Sequence, residues 1–239
     1  MRAGEPKVPQ IEEGDVQALL QGLFSWLQEG AFHGPPNVKT IANLLCAFDT
    51  AAFVTEHMPD LEIDIDILGW ASDAATVDGL ICEFGVFEGR TLRQLATLNP
   101  GRPVWGFDSF EGLPEDFPGA PKGDFDVGGR LPPDLPANAH CVPGWFDQTL
   151  PGFVAAHPGP LRLLHIDCDL YSSTRTVFEH LGPRLVPGSI ILFDEYFNYI
   201  GWKDHEHKAW TEYAEQRGLR FRYAASEGLR KIVVKVLEC

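Results

Sequence analysis

The chain has 239 residues, of which 44% are hydrophobic and 22% charged, and its formal net charge at pH 7 is −15. This length suits one α/β domain with a short appendage, and the composition is that of an ordinary globular protein. The negative charge would repel a phosphate backbone and no Lys/Arg run offsets it, which argues against nucleic acid as a partner. The apolar runs are too short to span a membrane.

Five cysteines are scattered through the chain, namely Cys46, Cys82, Cys141, Cys168 and Cys239. Because their number is odd and no C-x-x-C pair occurs, we expect mostly buried thiols instead of disulfides or a zinc site. Residues 1–15 are polar and lack the apolar core of a signal peptide. We therefore expect a protein of the reducing cytoplasm.

Apolar residues recur at helical spacing over residues 16–30 and again over residues 37–57, which predicts two helices near the start of the chain. A short helix is predicted over residues 67–75. We divide the chain into a helical region, residues 1–76, and a core domain, residues 77–239. The helical region either caps the sheet of the core or forms a lid, or a homo-oligomer surface, that helps to enclose a substrate.

The segment Leu80–Asp108 has the pattern of a strand, a glycine turn, a helix and a second strand. Its first apolar run is broken only by Glu83, as in a strand buried on both faces. Gly85 and Gly89 follow before helical spacing resumes. A strand that turns through glycines into a helix points backbone N–H groups at a ligand, so we expect this turn to bind a cofactor.

The acids that frame the turn indicate which cofactor it binds. Glu83 ends the first strand, and Asp108 ends the second about 20 residues past the turn, where a carboxylate can accept hydrogen bonds from ribose. Two glycines do not make the three-glycine turn that cradles a pyrophosphate. We therefore predict S-adenosylmethionine (SAM) as the cofactor, held by Glu83, Gly85, Gly89 and Asp108, with weaker contacts from Ser109 and Trp145.

The segment after Asp108, residues 109–140, is rich in proline and glycine. Loops this long are usually functional, so a lid over the cofactor is predicted in preference to a disordered insertion. Strands and helices then alternate as far as residue 215, which predicts a mostly parallel sheet covered on both faces and finished by an antiparallel hairpin. Within this region, a short helix is predicted over residues 149–157, and a second helix is predicted to begin near residue 171 and to end near residue 185.

Acidic residues follow two of the predicted strands, as Asp167 with Asp169 and as Asp194 with Glu195. Because the carboxyl ends of parallel strands share one edge of a sheet, these carboxylates should crowd the ligand crevice. Oxygen donors of this kind favour Mg²⁺ over zinc. Asp167, Asp194 and Glu195 are the predicted metal ligands, whereas Asp169 could cap the following helix.

Two residues are candidates for catalysis. Asp167 is also a predicted contact of the cofactor, so it would lie where metal, acceptor and cofactor meet. His205 follows the loop after the strand that ends in Asp194, so a neutral imidazole there could instead act as a general base without a metal. Trp145 is placed to stack on adenine, although it could equally be a core aromatic residue.

Five sequence blocks occur in order and together resemble the macrocin O-methyltransferase (TylF) family of class I SAM-dependent methyltransferases: Glu83–Gly89, Gly106–Pro114, Gly144–Pro151, His165–Thr174 and Phe193–Tyr196. The resemblance implies a Rossmann-like α/β fold with a seven-stranded, mostly parallel sheet whose last strand is antiparallel, and helices on both faces. It also implies SAM over the carboxyl edge and, in the antibiotic-sugar members, a Mg²⁺ ion held by acids that map to Asp167, Asp194 and Glu195. This chain has Asp194-Glu195 where the sugar-modifying members have two aspartates.

The predicted function is that of a SAM-dependent O-methyltransferase acting on a hydroxyl of a small natural product, with a sugar or a glycosylated metabolite as the acceptor. Mg²⁺ would assist deprotonation of that hydroxyl before in-line methyl transfer. One alternative is a metal-free O- or N-methyltransferase with His205 as its base. An alternative of another class is a non-catalytic protein that binds SAM or a nucleotide.

Overall fold

The computed structural model describes residues 38–58, 61–63 and 66–239. The chain divides into two compact units, Met1–Leu44 and Leu45–Cys239. The helix predicted over residues 16–30 lies outside the described residues, and the predicted boundary at residue 76 stays a prediction. In the described ranges, no helix combines the length and the apolar character needed to cross a membrane.

Six α-helices and eight strands make up the described fold. The helices are α1 (Val38–His57), α2 (Ile67–Ala74), α3 (Arg90–Leu98), α4 (Phe146–Ala156), α5 (Tyr171–Leu181) and α6 (Glu206–Arg217). The strands are β1 (Glu62–Ile63), β2 (Leu80–Phe84), β3 (Val104–Asp108), β4 (Ala139–Pro143), β5 (Leu161–Ile166), β6 (Ile190–Phe193), β7 (Arg220–Glu227) and β8 (Lys231–Glu238).

The strands form one sheet in the order β1-β7-β8-β6-β5-β2-β3-β4. The last strand, β8, lies between β6 and β7 and runs antiparallel to both, whereas the other described pairings are parallel. Seven strands therefore confirm the predicted mixed sheet, and the two-residue β1 is added at its edge. The order reverses beside β2, which has β3 on one side and β5 on the other, so the ligand crevice of this fold type is expected at the ends of β2 and β5.

Both faces of the sheet are covered by helices, as its apolar strands require. One face packs against α4, α5 and α6 through large side chains, including Phe153, Phe178 and Trp210. The other packs against α2 and α3 through smaller side chains, including Leu68, Leu92 and Leu95. Burial of each such side chain stabilises the fold by about 1.5–3 kcal/mol, which makes the sheet a rigid base for the residues at its carboxyl edge.

Helix α4 begins earlier than its sequence predicts. The start expected at Thr149, with Pro151 in the first turn, is wrong: the helix begins at Phe146 and contains Pro151. The carbonyl of Trp145 accepts hydrogen bonds from the backbone N–H groups of Gln148 and Thr149, both at 3.0 Å. These hydrogen bonds form the first turn of the helix three residues before the predicted start, so Trp145 is the N-cap residue of α4.

Helix α5 also differs from its prediction. The α-helix ends at Leu181 and continues only as a short 3₁₀ turn, Gly182–Arg184, so the predicted end at residue 185 is close but the last turn is tighter. Leu170 precedes the helix with an extended backbone and no side-chain cap. Asp169 therefore does not cap this helix. Its backbone is left-handed, with φ of 61°, and its side chain lines the cavity described below.

Candidate active site

A cavity of about 750 Å³ lies at the carboxyl ends of β2, β3, β5 and β6. This volume falls in the range of small-molecule sites. Its lining includes most of the predicted site residues, namely Gly85, Asp108, Ser109, Trp145, Asp167, Asp194 and Glu195. Three predicted residues are not part of that lining: Glu83, Gly89 and His205.

The hydrogen-bond ladder continues one residue past the strand ends and aligns the site. Gly85 N–H donates to the Phe107 carbonyl at 3.0 Å, and Asp194 N–H donates to the Ile166 carbonyl at 2.9 Å. Asp167 N–H likewise donates to the Phe84 carbonyl at 2.8 Å. Neighbouring strands are about 4.8 Å apart, so Gly85, Asp167 and Asp194 lie side by side in one row across the sheet.

Gly85 can be nothing but glycine in this arrangement. Its φ of +92° is a left-handed conformation, and a Cβ atom there would lie 1.7 Å from the Asp167 carbonyl oxygen. Gly89, with φ of +76°, precedes α3, and a Cβ atom would lie 2.7 Å from Pro132 Cβ. The first glycine therefore lets two strand ends meet at the cavity, while the second lets the loop after β3 approach α3.

Asp108 braces the glycine turn. Its Oδ2 atom accepts hydrogen bonds from the backbone N–H groups of Val86 at 2.8 Å and Phe87 at 2.7 Å. Its Oδ1 atom accepts one from Phe110 N–H at 2.7 Å. A carboxylate oxygen has two lone-pair positions, so Oδ1 can accept a further bond from a ligand hydroxyl while the turn stays fixed.

Glu83 lies beneath this row, fully buried, and pairs with a histidine that the sequence pattern alone does not single out. His165 Nδ1 lies 3.0 Å from Glu83 Oε1, and His165 Nε2 lies 3.8 Å from Asp194 Oδ1. Burial disfavours the charged imidazole, but the carboxylates of Asp194 and Glu83 outweigh it and raise the pKa of His165 to about 10. The sequence does show His165 as an ionisable residue within an otherwise apolar strand. The structure places it opposite Glu83 on the neighbouring strand.

The carboxylates around the cavity have opposite protonation tendencies. Burial, reinforced by the charge of Asp194, raises the pKa of Asp167 well above its ordinary value and that of Asp169 to about 6. Burial also pushes the pKa of Asp194 upward, but His165 and Lys231 outweigh it and lower that pKa to about 2. Neighbouring acids with separated pKa values are suited to acid–base chemistry.

Two cations at the start of β8, Lys231 and the preceding Arg230, form ion pairs with the acids that follow β6. Lys231 Nζ lies 2.6 Å from Asp194 Oδ1, and Arg230 forms an ion pair with Glu195. Both contacts follow from the antiparallel pairing that sets Phe193 opposite Ile232. The sequence shows the basic pair, but only the placement of β8 beside β6 shows what it contacts.

The chemistry of the cavity lining suits a hard divalent cation. Asp167, Asp194 and Glu195 offer carboxylate oxygens to one cavity, and the Oε2 atom of Glu195 is buried without a hydrogen-bond partner among the described residues. The ligand atoms of these three acids do not all lie within 4.8 Å of one another; among the described residues, the group that meets this distance is Glu83, His165 and Asp167. Because Glu83 and His165 bond each other and do not line the cavity, we interpret that group as an internal ion pair.

His205 lies beside the cavity and contacts the loop that covers it. Its ring centroid is 5.0 Å from that of Phe117, and its Nδ1 atom is buried without a described partner. Burial lowers the pKa of His205, so the imidazole is neutral near pH 7. The next residue, Glu206, is fully buried, and its Oε2 atom accepts a 3.3 Å hydrogen bond from Glu195 N–H. Glu206 is a further acid that sequence reasoning missed.

The loop between β3 and β4, for which a lid is predicted from the sequence, contributes residues to the wall of the cavity. Leu113, Pro114 and Phe125 from this loop line the cavity. Phe125 packs edge-on against Phe87 of the glycine turn, with ring centroids 5.6 Å apart. Ser172, at the start of α5, donates a hydrogen bond to Glu115 of the loop. The loop therefore contacts the glycine turn on one side of the cavity and the start of α5 on the other.

Residues 82–196 match the protein family described as a methyltransferase domain. The chain is 32% identical over 160 residues to 8-demethyl-8-(2,3-dimethoxy-alpha-L-rhamnosyl)-tetracenomycin-C 4'-O-methyltransferase of Streptomyces olivaceus, an alignment covering 55% of this chain and 59% of that protein. It is 30% identical over 115 residues to mycinamicin III 3''-O-methyltransferase of Micromonospora griseorubida, covering 40% and 44%. The alignments thus span about half the length of these relatives.

Solved structures share the fold. The O-methyltransferase NovP superposes with a TM-score of 0.59 at 21% identity, covering 72% of this chain and 79% of NovP. The calicheamicin methyltransferase CalS11 superposes with a TM-score of 0.58 at 23% identity, covering 98% and 99%. These superpositions and the sheet order show that the chain has the α/β fold of class I methyltransferases, and its residues 82–196 are similar to a methyltransferase domain.

Proposed function

We propose that this protein transfers a methyl group from SAM to a hydroxyl of a small, sugar-bearing natural product. The observation that carries the proposal is the position of Asp167: a carboxylate of raised pKa whose backbone abuts Gly85, in one cavity with the ionised Asp194. The names of the relatives support the acceptor class, since one acts at a rhamnosyl-bearing tetracenomycin and another is a demethyldecarbamoylnovobiocin O-methyltransferase of Streptomyces niveus. Membership of the macrocin O-methyltransferase family is part of this proposal.

The cofactor half of the cavity is formed by the ends of β2, β3 and β4. SAM, when bound, supplies an electrophilic methyl group. Gly85 leaves room beside Asp167, and Asp108 has an oxygen available for a ribose hydroxyl while it holds the turn in place. Trp145 lines the cavity at the start of α4, where its indole ring can stack on an adenine base, and Ser109 lies next to Asp108.

The acceptor half is formed by the ends of β5 and β6. Asp167 is positioned to take the proton of an acceptor hydroxyl, and its raised pKa makes it a stronger base than an exposed aspartate. Asp194 stays anionic because His165 and Lys231 stabilise its charge. Asp167 would therefore receive the proton, and Asp194 would provide a fixed negative charge.

Asp194 and Glu195 are the residues that would hold a Mg²⁺ ion, which leaves the carboxyl group of Asp167, predicted from the sequence as a third ligand, free to receive the acceptor proton. The ion, when bound, would lower the pKa of an acceptor hydroxyl and help to orient it. The lid residues Leu113 and Phe125 would limit access of water to the cavity during the reaction.

The experiment is a methyl-transfer assay with labelled SAM and a panel of glycosylated natural products that carry free sugar hydroxyls. We expect transfer to at least one acceptor, its loss on treatment with EDTA and its return with Mg²⁺. The Asp167→Asn variant should lower transfer by about 100-fold, because general-base assistance is worth 10²–10⁴-fold. Asp169→Asn is the matched control, since it removes a neighbouring cavity acid that has no part in the proton transfer.

The outcomes separate the proposal from its rivals. Full activity in EDTA would favour a metal-free enzyme. SAM binding by calorimetry without transfer to any tested acceptor would favour a non-catalytic protein. Equal losses in the Asp167 and Asp169 variants would contradict the role given to Asp167.

A further inference from the structure

The two acids that follow β6 each have a cationic partner at the start of β8. Lys231 Nζ lies 2.6 Å from Asp194 Oδ1, and Arg230 forms an ion pair with Glu195. Two consecutive basic residues therefore meet two consecutive acidic residues, and these acids are the ones that would hold a divalent cation in the proposed function.

The Lys231 contact is the better shielded of the two. The Lys231 and Asp194 side chains are 22% and 18% exposed, whereas the Arg230 side chain is 55% exposed. Solvent screens exposed pairs strongly and partly buried pairs less. Glu227 also faces Lys231, with its Oε2 atom 3.8 Å from Nζ, but it is more exposed than Asp194. The ammonium of Lys231 is thus chiefly the counter-charge of Asp194.

An ammonium and a metal ion cannot both occupy the same face of one carboxylate without repulsion. A divalent cation that binds Asp194 must either displace Lys231 Nζ or remain a few ångströms from it. The cavity is also lined by Asp167 and Asp169, whose carboxyl groups offer further oxygen atoms to a cation. The lysine should therefore weaken the binding of a cation without preventing it.

We propose that Lys231 is a built-in counter-cation that competes with a divalent metal ion for Asp194 and so sets the affinity of the acid cluster for that ion. This inference rests on the proposed function, because it assumes that the cluster binds a metal. It gives the β7–β8 hairpin, which contributes no residue to the cavity lining, a direct influence on the chemistry of the site.

The test is direct titration of the full chain with Mn²⁺, followed by electron paramagnetic resonance of the free ion, which needs no acceptor and no turnover. We expect Lys231→Met to bind Mn²⁺ on the order of tenfold more tightly than the wild type, because a unit positive charge near the ion is removed. Lys231→Arg, which keeps the charge, should bind with wild-type affinity. Lys235→Met, the same substitution four residues along β8, at a position paired with Ile190 at the other end of β6, should also match the wild type.

SAM titration and circular dichroism establish that each variant is folded, and Lys231→Gln replaces the methionine variant should that one fail to fold. Saturable binding of Mn²⁺ that is equal or weaker in the charge-removing variant would overturn the role of Lys231 while leaving the metal site in place. Absence of Mn²⁺ binding in the wild type and in every variant that still binds SAM would overturn the metal-assisted function itself, and this inference with it.

Discussion

Glu83 and His165, on adjacent strands, form a buried ion pair directly beneath the row of cavity residues, with 3.0 Å between Oε1 and Nδ1. The pair links the glycine turn of β2 to the acid that follows β6, because the other imidazole nitrogen of His165 faces Asp194 at 3.8 Å. The two halves of the cavity, which we propose hold the cofactor and the acceptor, therefore share a common support inside the sheet.

Removal of one partner of this pair should destabilise the protein strongly. Loss of one member of a buried ion pair costs about 3–5 kcal/mol, because the remaining charge is buried without compensation. We expect Glu83→Gln to lower the free energy of unfolding, measured with urea at neutral pH, by that amount. The substitution Glu88→Gln, at an exposed position in the same turn, should leave it unchanged.

The same pair should make stability depend on pH. The folded protein raises the pKa of His165 from 6.5 to about 10, so its contribution is complete below pH 6.5 and is lost as the pH rises towards 10. Urea unfolding across this interval should show the wild type losing stability more steeply than His165→Gln. Parallel profiles for the two proteins would show that His165 is neutral in the folded state.

A substitution at Gly85 tests whether SAM binding depends on the close approach of the Gly85 and Asp167 backbones. Alanine at this position should reduce stability and abolish SAM binding, because its Cβ atom would lie 1.7 Å from the Asp167 carbonyl oxygen. Gly101→Ala is the matched control: its φ of +78° is similar, but no atom lies within 4 Å of the added Cβ. The control should cost only about 1 kcal/mol of backbone strain and leave SAM binding intact. Equal effects in both variants would mean that backbone strain alone explains Gly85.

A substitution at His205 distinguishes proton transfer to Asp167 from proton transfer to the imidazole of His205. If Asp167 receives the acceptor proton, His205→Ala should lower kcat only slightly, because the imidazole lies outside the cavity lining and packs against Phe117 of the lid. If the imidazole is the base, kcat should fall by at least about 100-fold. Steady-state kinetics with an identified acceptor decides between them, with thermal unfolding as the control for folding.

Phe125 should determine how well the lid closes over the acceptor. Its side chain is 50% exposed, lines the cavity and contacts Phe87. We expect Phe125→Ala to raise the KM of the acceptor. Leu131→Ala is a suitable control because Leu131 is equally exposed on the same loop but does not line the cavity. Similar kinetic effects in both variants would argue against a specific contact with Phe125.

The features that the sequence predicted well depend on local patterns. Apolar runs bounded by glycine and proline predicted the strands, and the acids that follow them fall in one cavity because parallel strands end at one edge. The glycine turn was predicted for the same reason: Gly85 follows a buried strand directly and precedes a helix with strong apolar spacing.

The features that the sequence did not predict depend on pairings between distant segments. Lys231 reaches Asp194 only because β8 inserts between β6 and β7, and no local pattern specifies that position. Glu83 was expected to face the cofactor, but it lies one step deeper in the strand, opposite His165. Asp169 was open to interpretation as a helix cap until its left-handed backbone was seen.

Calorimetric titration of the full chain with SAM tests the central claim most directly, because every role proposed for the cavity depends on that cofactor. We predict saturable binding with one SAM per chain, lost in the Asp108→Ala variant, which removes the brace of the glycine turn, and no binding of NAD. Absence of heat with SAM at high micromolar concentration, from protein shown to be folded, would contradict the account.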